Sequence, residues 1–98
     1  MATKKDVHDL FLNHVNSNAV KTRKMMGEYI IYYDGVVIGG LYDNRLLAKA
    51  TKSARHQFQD NTLVSPYPGA KEMILIPDFD EATNLTDLFK TIKNDLKN

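Results

Sequence analysis

The chain has 98 residues, a formal net charge of +1, 43% hydrophobic and 26% charged residues, and no cysteine. That suits one soluble domain with a core of its own. It excludes disulfides, thiolate metal sites and cysteine catalysis, and it leaves no general field to attract nucleic acid or anionic lipid. The N-terminus MATKKDVHDLFLNHV lacks the unbroken apolar stretch of a signal peptide, and no apolar run approaches the ~18 residues that span a bilayer. A cytoplasmic location and no membrane partner are the expectations.

In chain order, residues 3 to 17 read as an amphipathic helix. Val7, Leu10, Phe11 and Val15 share one face, Thr3 is placed to cap the start, and Asn16-Ser17-Asn18 stops it. Lys21 to Met26 fits a short edge strand ending at Gly27, whose charges discourage sheet-to-sheet aggregation. In it Lys21, Arg23 and Met25 fall on one face, and Thr22, Lys24 and Met26 on the other.

Three apolar runs follow, Tyr29 to Tyr33, Val36 to Tyr42 and Leu46 to Ala50, separated by Asp34-Gly35 and Asp43-Asn44. Both dipeptides suit type I′ turns, which need positive φ at both central residues, so a three-stranded antiparallel meander is predicted at the centre of a sheet. Gly39-Gly40 inside the second run marks a bulge or a close backbone approach.

Thr51 then has the position of an N-cap for a helix over Lys52 to Gln59, with Ala54 and Phe58 turned inward. Thr62 to Val64 fits a brief strand, and Ser65-Pro66-Tyr67-Pro68-Gly69 a rigid loop set by its prolines. Glu72 to Ile76 reads as a strand buried on both faces or nearly so, ended by Pro77. The last element is a helix near 84 to 97, with Leu85, Leu88, Phe89, Ile92 and Leu96 in one stripe. The order α-β-β-β-β-α-β-α gives an α+β, two-layer domain, an antiparallel sheet with helices packed on it.

Signals for chemistry are few. His8 and His14 point about 120° apart on one helix, and His56 belongs to another element, so the histidines do not suit one metal ion. Asp78, Asp80 and Glu81 lack the central Gly and distal Glu of an EF-hand and fit helix-terminus electrostatics instead. No nucleophile elbow, P-loop, dinucleotide fingerprint or zincin motif occurs, so neither an enzyme nor a cofactor is expected. Tyr29, Tyr32, Tyr33, Tyr42 and Tyr67 beside basic residues could stack bases, but tyrosine is also simply a good strand residue.

The run Lys24-Met25-Met26-Gly27-Glu28-Tyr29, followed by Ile31-Tyr32-Tyr33-Asp34-Gly35, resembles the N-terminal domain of the TfoX/Sxy family of bacterial competence regulators. Met26 stands where the family usually has an aromatic. The likeness continues through Asp43, Leu46 and Lys49 and the late run Met73 to Ile76, across roughly residues 5 to 95. It implies a two-layer fold similar to that of secretion chaperones and a role in transcription regulation beside a transcription factor. The family's regulators usually carry a second, helical domain; this chain ends just after its last predicted helix, so one domain over 1–98 is expected.

Three functional expectations stand side by side. The first is a non-enzymatic regulatory or adaptor module contacting a protein through Arg23, Lys24, Met25, Met26, Gly27, Glu28 and Tyr29, with Gly27 supplying a tight turn. The second is a nucleic-acid-binding domain using Lys21, Arg23, Lys24, Arg45 and Lys49. The third is a small-molecule or peptide binder in a groove between sheet and helix. A homodimer is compatible with all three.

Overall fold

In the computed structural model, residues 2–97 are described. Helix α1 (Lys5–Val15) is followed by strands β1 (Val20–Met25), β2 (Glu28–Tyr33), β3 (Val36–Tyr42) and β4 (Arg45–Lys49), then helix α2 (Lys52–Gln57). Strands β5 (Leu63–Val64) and β6 (Met73–Ile76), a 3-10 turn (Phe79–Glu81) and helix α3 (Leu85–Lys97) complete the chain. The six strands form one antiparallel sheet in the order β1-β2-β3-β4-β6-β5, so the domain is α+β as the element order predicts.

All three hairpins between β1 and β4 turn on two residues with positive φ. These are Met26 (53°) and Gly27 (84°), Asp34 (51°) and Gly35 (82°), and Asp43 (53°) and Asn44 (64°). A turn of that hand matches the right-handed twist of the strands it joins. The first of them was not expected as a I′ turn, and it takes Met26 out of the strand and away from the face of Thr22 and Lys24.

Side chains of one sheet face build the core with the helices. Tyr29, Ile31, Ile38, Leu41, Leu46, Ala48, Ile74 and Ile76 meet Phe11 of α1, Ala54 of α2, and Leu85, Leu88, Phe89 and Ile92 of α3. Phe11 sets its ring edge against Phe79, centroids 5.9 Å apart, and lies 6.2 Å from Phe89. Burying side chains of this kind is worth about 1.5–3 kcal/mol each, which is what holds two layers together.

Gly39 marks a bulge. Ile31 pairs with Gly39 but Tyr32 pairs with Val37, leaving Ile38 as the extra residue of β3. A Cβ on Gly39 would lie 2.2 Å from the carbonyl oxygen of Leu47, so only glycine fits there.

Several local expectations need correction. Thr3 does not cap α1; the cap position is Lys4, without a side-chain bond, and the Thr3 side chain is buried elsewhere. Leu10 and Leu96, counted in the apolar stripes, are about half exposed, because each lies at the margin of its helix's buried face. β6 is not buried on both faces: Ile74 and Ile76 enter the core while Met73 and Leu75 are half-buried. Thr51 holds the N-cap position of α2 without capping it; Asp95 of α3 accepts from the Ser53 amide (2.9 Å) and hydroxyl (2.8 Å) instead. The Thr51 hydroxyl and the Ser53 hydroxyl and amide beside Asp95 hold its carboxyl below the usual carboxylate range.

Candidate functional site

The strand register decides which residues face away from the core. Opposed residues in an antiparallel pair share a face. Lys21, Arg23 and Met25 of β1 therefore lie with Tyr32, Ile30 and Glu28 of β2, and with Gly40, Tyr42, Arg45, Leu47 and Lys49 of β3 and β4, on the face opposite the helices. Lys24 and Tyr29 lie on the helix side.

At one end of this open face sits a groove of about 540 Å³. Met25 and Met26 form one wall, Ile30 and Glu28 the floor, and Tyr42, Pro66 and Tyr67 the other wall. Tyr42 folds across the sheet, its ring so close to Gly40 that a Cβ there would be 2.5 Å from Cε2. Burial, with the neighbouring Tyr67 and Glu28, pushes the Tyr42 hydroxyl up from its ordinary pKa. Met26 is 97% exposed, Tyr67 61% and Met25 45%, an unusual concentration of large apolar side chains in water.

Glu28 has a different task from its neighbours. Its carboxylate accepts from the Asp43 amide at 3.1 and 3.2 Å and from the Thr3 hydroxyl at 2.6 Å. The Thr3 hydroxyl oxygen accepts the Asn44 amide at 3.1 Å, and the Asn44 side chain accepts the Lys4 amide at 2.8 Å. The Thr3 amide donates to the Gly27 carbonyl at 3.0 Å. One carboxylate and one hydroxyl thus bind the N-terminus to two hairpin turns, and these charge-assisted bonds are the stronger kind.

Of the residues singled out in the sequence, Met25, Met26 and Glu28 meet at the groove, and Gly27 supplies its turn. Arg23 lies on the same face one strand out, whereas Lys24 points to the other face. Tyr29 is buried under α1, where His8 stacks on it with ring centroids 3.9 Å apart and planes 5° apart. His8 Nε2 also bonds to the Thr22 hydroxyl at 2.7 Å, and burial pushes its pKa down.

The nucleic-acid set is divided. Lys21 and Arg23 lie three strands, or about 14 Å, from Arg45 and Lys49. Arg45 Nε donates to the Tyr42 carbonyl at 3.3 Å, and Lys49 lines an adjoining depression of about 400 Å³ that shares Tyr42, Pro66 and Tyr67 with the groove and reaches Leu96. Tyr32 and Tyr42 share this face, but Tyr29 and Tyr33 are turned to the core. Pro66 was missed as a site residue, and Tyr67 was weighed for base stacking and not for this groove; the Pro-set loop was legible, its position over the sheet was not.

Other chemistry is sparse. His14 Nε2 donates to the Ala82 carbonyl, and His56 lies with Lys52 and Arg55 in a cleft of about 500 Å³ beside α2. Among the described residues no three His, Asp or Glu side chains converge as metal ligands, and no helix is long and apolar enough to cross a membrane.

Residues 12–82 match the family described as the TfoX N-terminal domain. An uncharacterized 12.7 kDa protein encoded in the trpE 5′ region of Spirochaeta aurantia is 40% identical over 72 residues. That stretch is 72% of this chain and 63% of the relative, so the match spans somewhat less than two thirds of the relative's length. No solved structure matches the chain. With most of the sheet and its hairpins inside the matched residues, this chain belongs to the TfoX N-terminal domain family.

Proposed function

We infer that the domain is a non-enzymatic regulatory adaptor that contacts another protein, a transcription factor in the first instance, through the β1–β2 turn and the groove beside it. The observation that carries this reading is Met26, a bulky residue in the left-handed region and 97% exposed. That conformation costs a non-glycine residue roughly 1–2 kcal/mol. Strain of this kind persists where the surrounding fold imposes it, and it clusters at functional positions. Here it sets a flexible, polarizable side chain at the mouth of an apolar groove, the kind of surface that adapts to a protein partner. Membership of the TfoX N-terminal domain family supports the same reading.

The test is capture from the host's nuclease-treated lysate by tagged protein beside a Met25→Ser/Met26→Asn variant. Recovery of a transcription factor or polymerase subunit by the parent alone is the expected result. Equal recovery by both proteins would place the contact elsewhere.

A second reading, single-stranded nucleic-acid binding, is favoured by the shared face of Lys21, Arg23, Tyr32, Tyr42, Arg45 and Lys49. It requires affinity that falls steeply with added salt. Binding that is absent at low salt would remove it.

A further inference from the structure

We propose that the outer edge of β1 accepts an extended acidic segment of a partner protein as a seventh strand of the sheet. The proposal rests on the protein-contact reading above and names the chemistry of the partner.

β1 ends the sheet. It pairs with β2 from Val20 to Met25, and among the described residues no strand lies on its other side. Its outward backbone groups are therefore a ready template for one more antiparallel or parallel strand. The opposite edge, β5, is only two residues long and offers almost no ladder.

The charges on β1 select the occupant. Lys21, Arg23 and Lys24 are exposed, and their side chains make no ion pair or hydrogen bond among the described residues. Their cross-strand partners on β2 are Tyr32, Ile30 and Tyr29, so no acid on the neighbouring strand neutralises them. Glu28, opposite Met25, is already held by Thr3 and Asp43. An incoming strand with carboxylates opposite Lys21 and Arg23 and an apolar residue opposite Met25 matches every open-face position of β1. The apolar residue then lies beside the methionine groove.

A second copy of this chain fits less well. Antiparallel self-pairings centred between Thr22 and Arg23, on Thr22, or on Arg23 oppose Lys21 to Lys24, Lys21 to Arg23, or Arg23 to itself. Directly opposed like charges are unfavourable. Nucleic acid would satisfy the charges but not the backbone ladder, and no aromatic ring of β1 is available to stack a base, since β1 carries none.

The test uses the whole protein with three probes: the peptide Leu-Val-Glu-Val-Glu-Val-Leu, its counterpart with lysine for glutamate, and an oligothymidylate. Amide hydrogen exchange is followed residue by residue. The acidic peptide is expected to slow exchange of outward β1 amides, and Lys21→Glu/Arg23→Glu to weaken its binding about tenfold or more while the protein's spectrum stays folded. The basic peptide should do neither.

Equal response to both peptides, or protection that spares β1, overturns the proposal. So does oligothymidylate binding with the acidic peptide inert. If the peptide is inert while Met26→Asn still abolishes capture, this proposal fails and the adaptor reading stands. If the peptide protects β1 while capture is indifferent to Met26, the reverse holds.

Discussion

The turns at Asp43–Asn44 and at Met26–Gly27 lie at the same end of the sheet and have nearly the same backbone, with φ of 53° and 64° in one and 53° and 84° in the other. Asp43–Asn44 uses residues that tolerate the left-handed region, and its amides are bonded to Glu28 and Thr3. Met26–Gly27 uses a residue that does not, and leaves its side chain in water. The third turn resembles the first: Asp34 is paired with Lys93 of α3. One backbone solution therefore serves two ends. Where the left-handed residues themselves are bonded, they agree with the geometry; Met26–Gly27 is tied at the Gly27 carbonyl, which accepts the Thr3 amide, and its ill-suited residue is displayed at the surface, beside a groove.

The anchored turn breaks most easily at Glu28. Glu28→Ala strands the Asp43 amide and the Thr3 hydroxyl, and a loss of about 2–3 kcal/mol in chemical denaturation is expected. Glu28→Gln keeps one acceptor oxygen and should lose about half of that. At the displayed turn the sign reverses. Met26→Asn relieves the left-handed strain and should raise stability by about 1 kcal/mol. Asn44→Gly keeps the backbone conformation but removes the acceptor for the Lys4 amide, so a loss of about 0.5–1 kcal/mol is expected.

Two smaller effects depend on pH. Burial lowers the pKa of His8 below its ordinary 6.5, against the opposing pull of Asp9. The unfolded chain then binds that proton more readily than the fold does. The contribution of His8 is complete above pH 6.5 and is lost as pH falls through the folded value; in His8→Gln the urea midpoint should vary less between neutral pH and about pH 5. Asp34 follows the carboxylate rule: its bond to Lys93 holds its pKa below the ordinary 3.8, so its contribution is present above that value and disappears in stronger acid. Lys93→Met should remove that acid limb. The change will be small, because the Asp34 side chain is 64% exposed.

What the sequence disclosed follows from the range of the interactions. Asp34-Gly35 and Asp43-Asn44 announce their turns locally, and Gly39 announces its bulge, because each is a backbone requirement met by the residue itself. Met26-Gly27 hides the same turn behind an unsuited residue, with Gly27 the one clue. Thr3 looked like a helix cap because Asp6 follows at capping distance, yet its partners Glu28, Leu41 and Asn44 are 25, 38 and 41 residues away. No local pattern reaches that far. The groove is hidden for the same reason: its far wall, Pro66 and Tyr67, comes from a loop that the strand pattern does not place. Lys24 and Arg23 are adjacent in sequence, and only strand alternation separates them onto opposite faces.

The most direct test of the displayed turn is one variant measured twice. Met26→Asn should unfold at higher denaturant than the parent and should lose the transcription-factor partner proposed above in capture from nuclease-treated lysate. A variant that gains stability and still captures that partner at the parent's level would contradict the account, leaving Met26 as strain without a function.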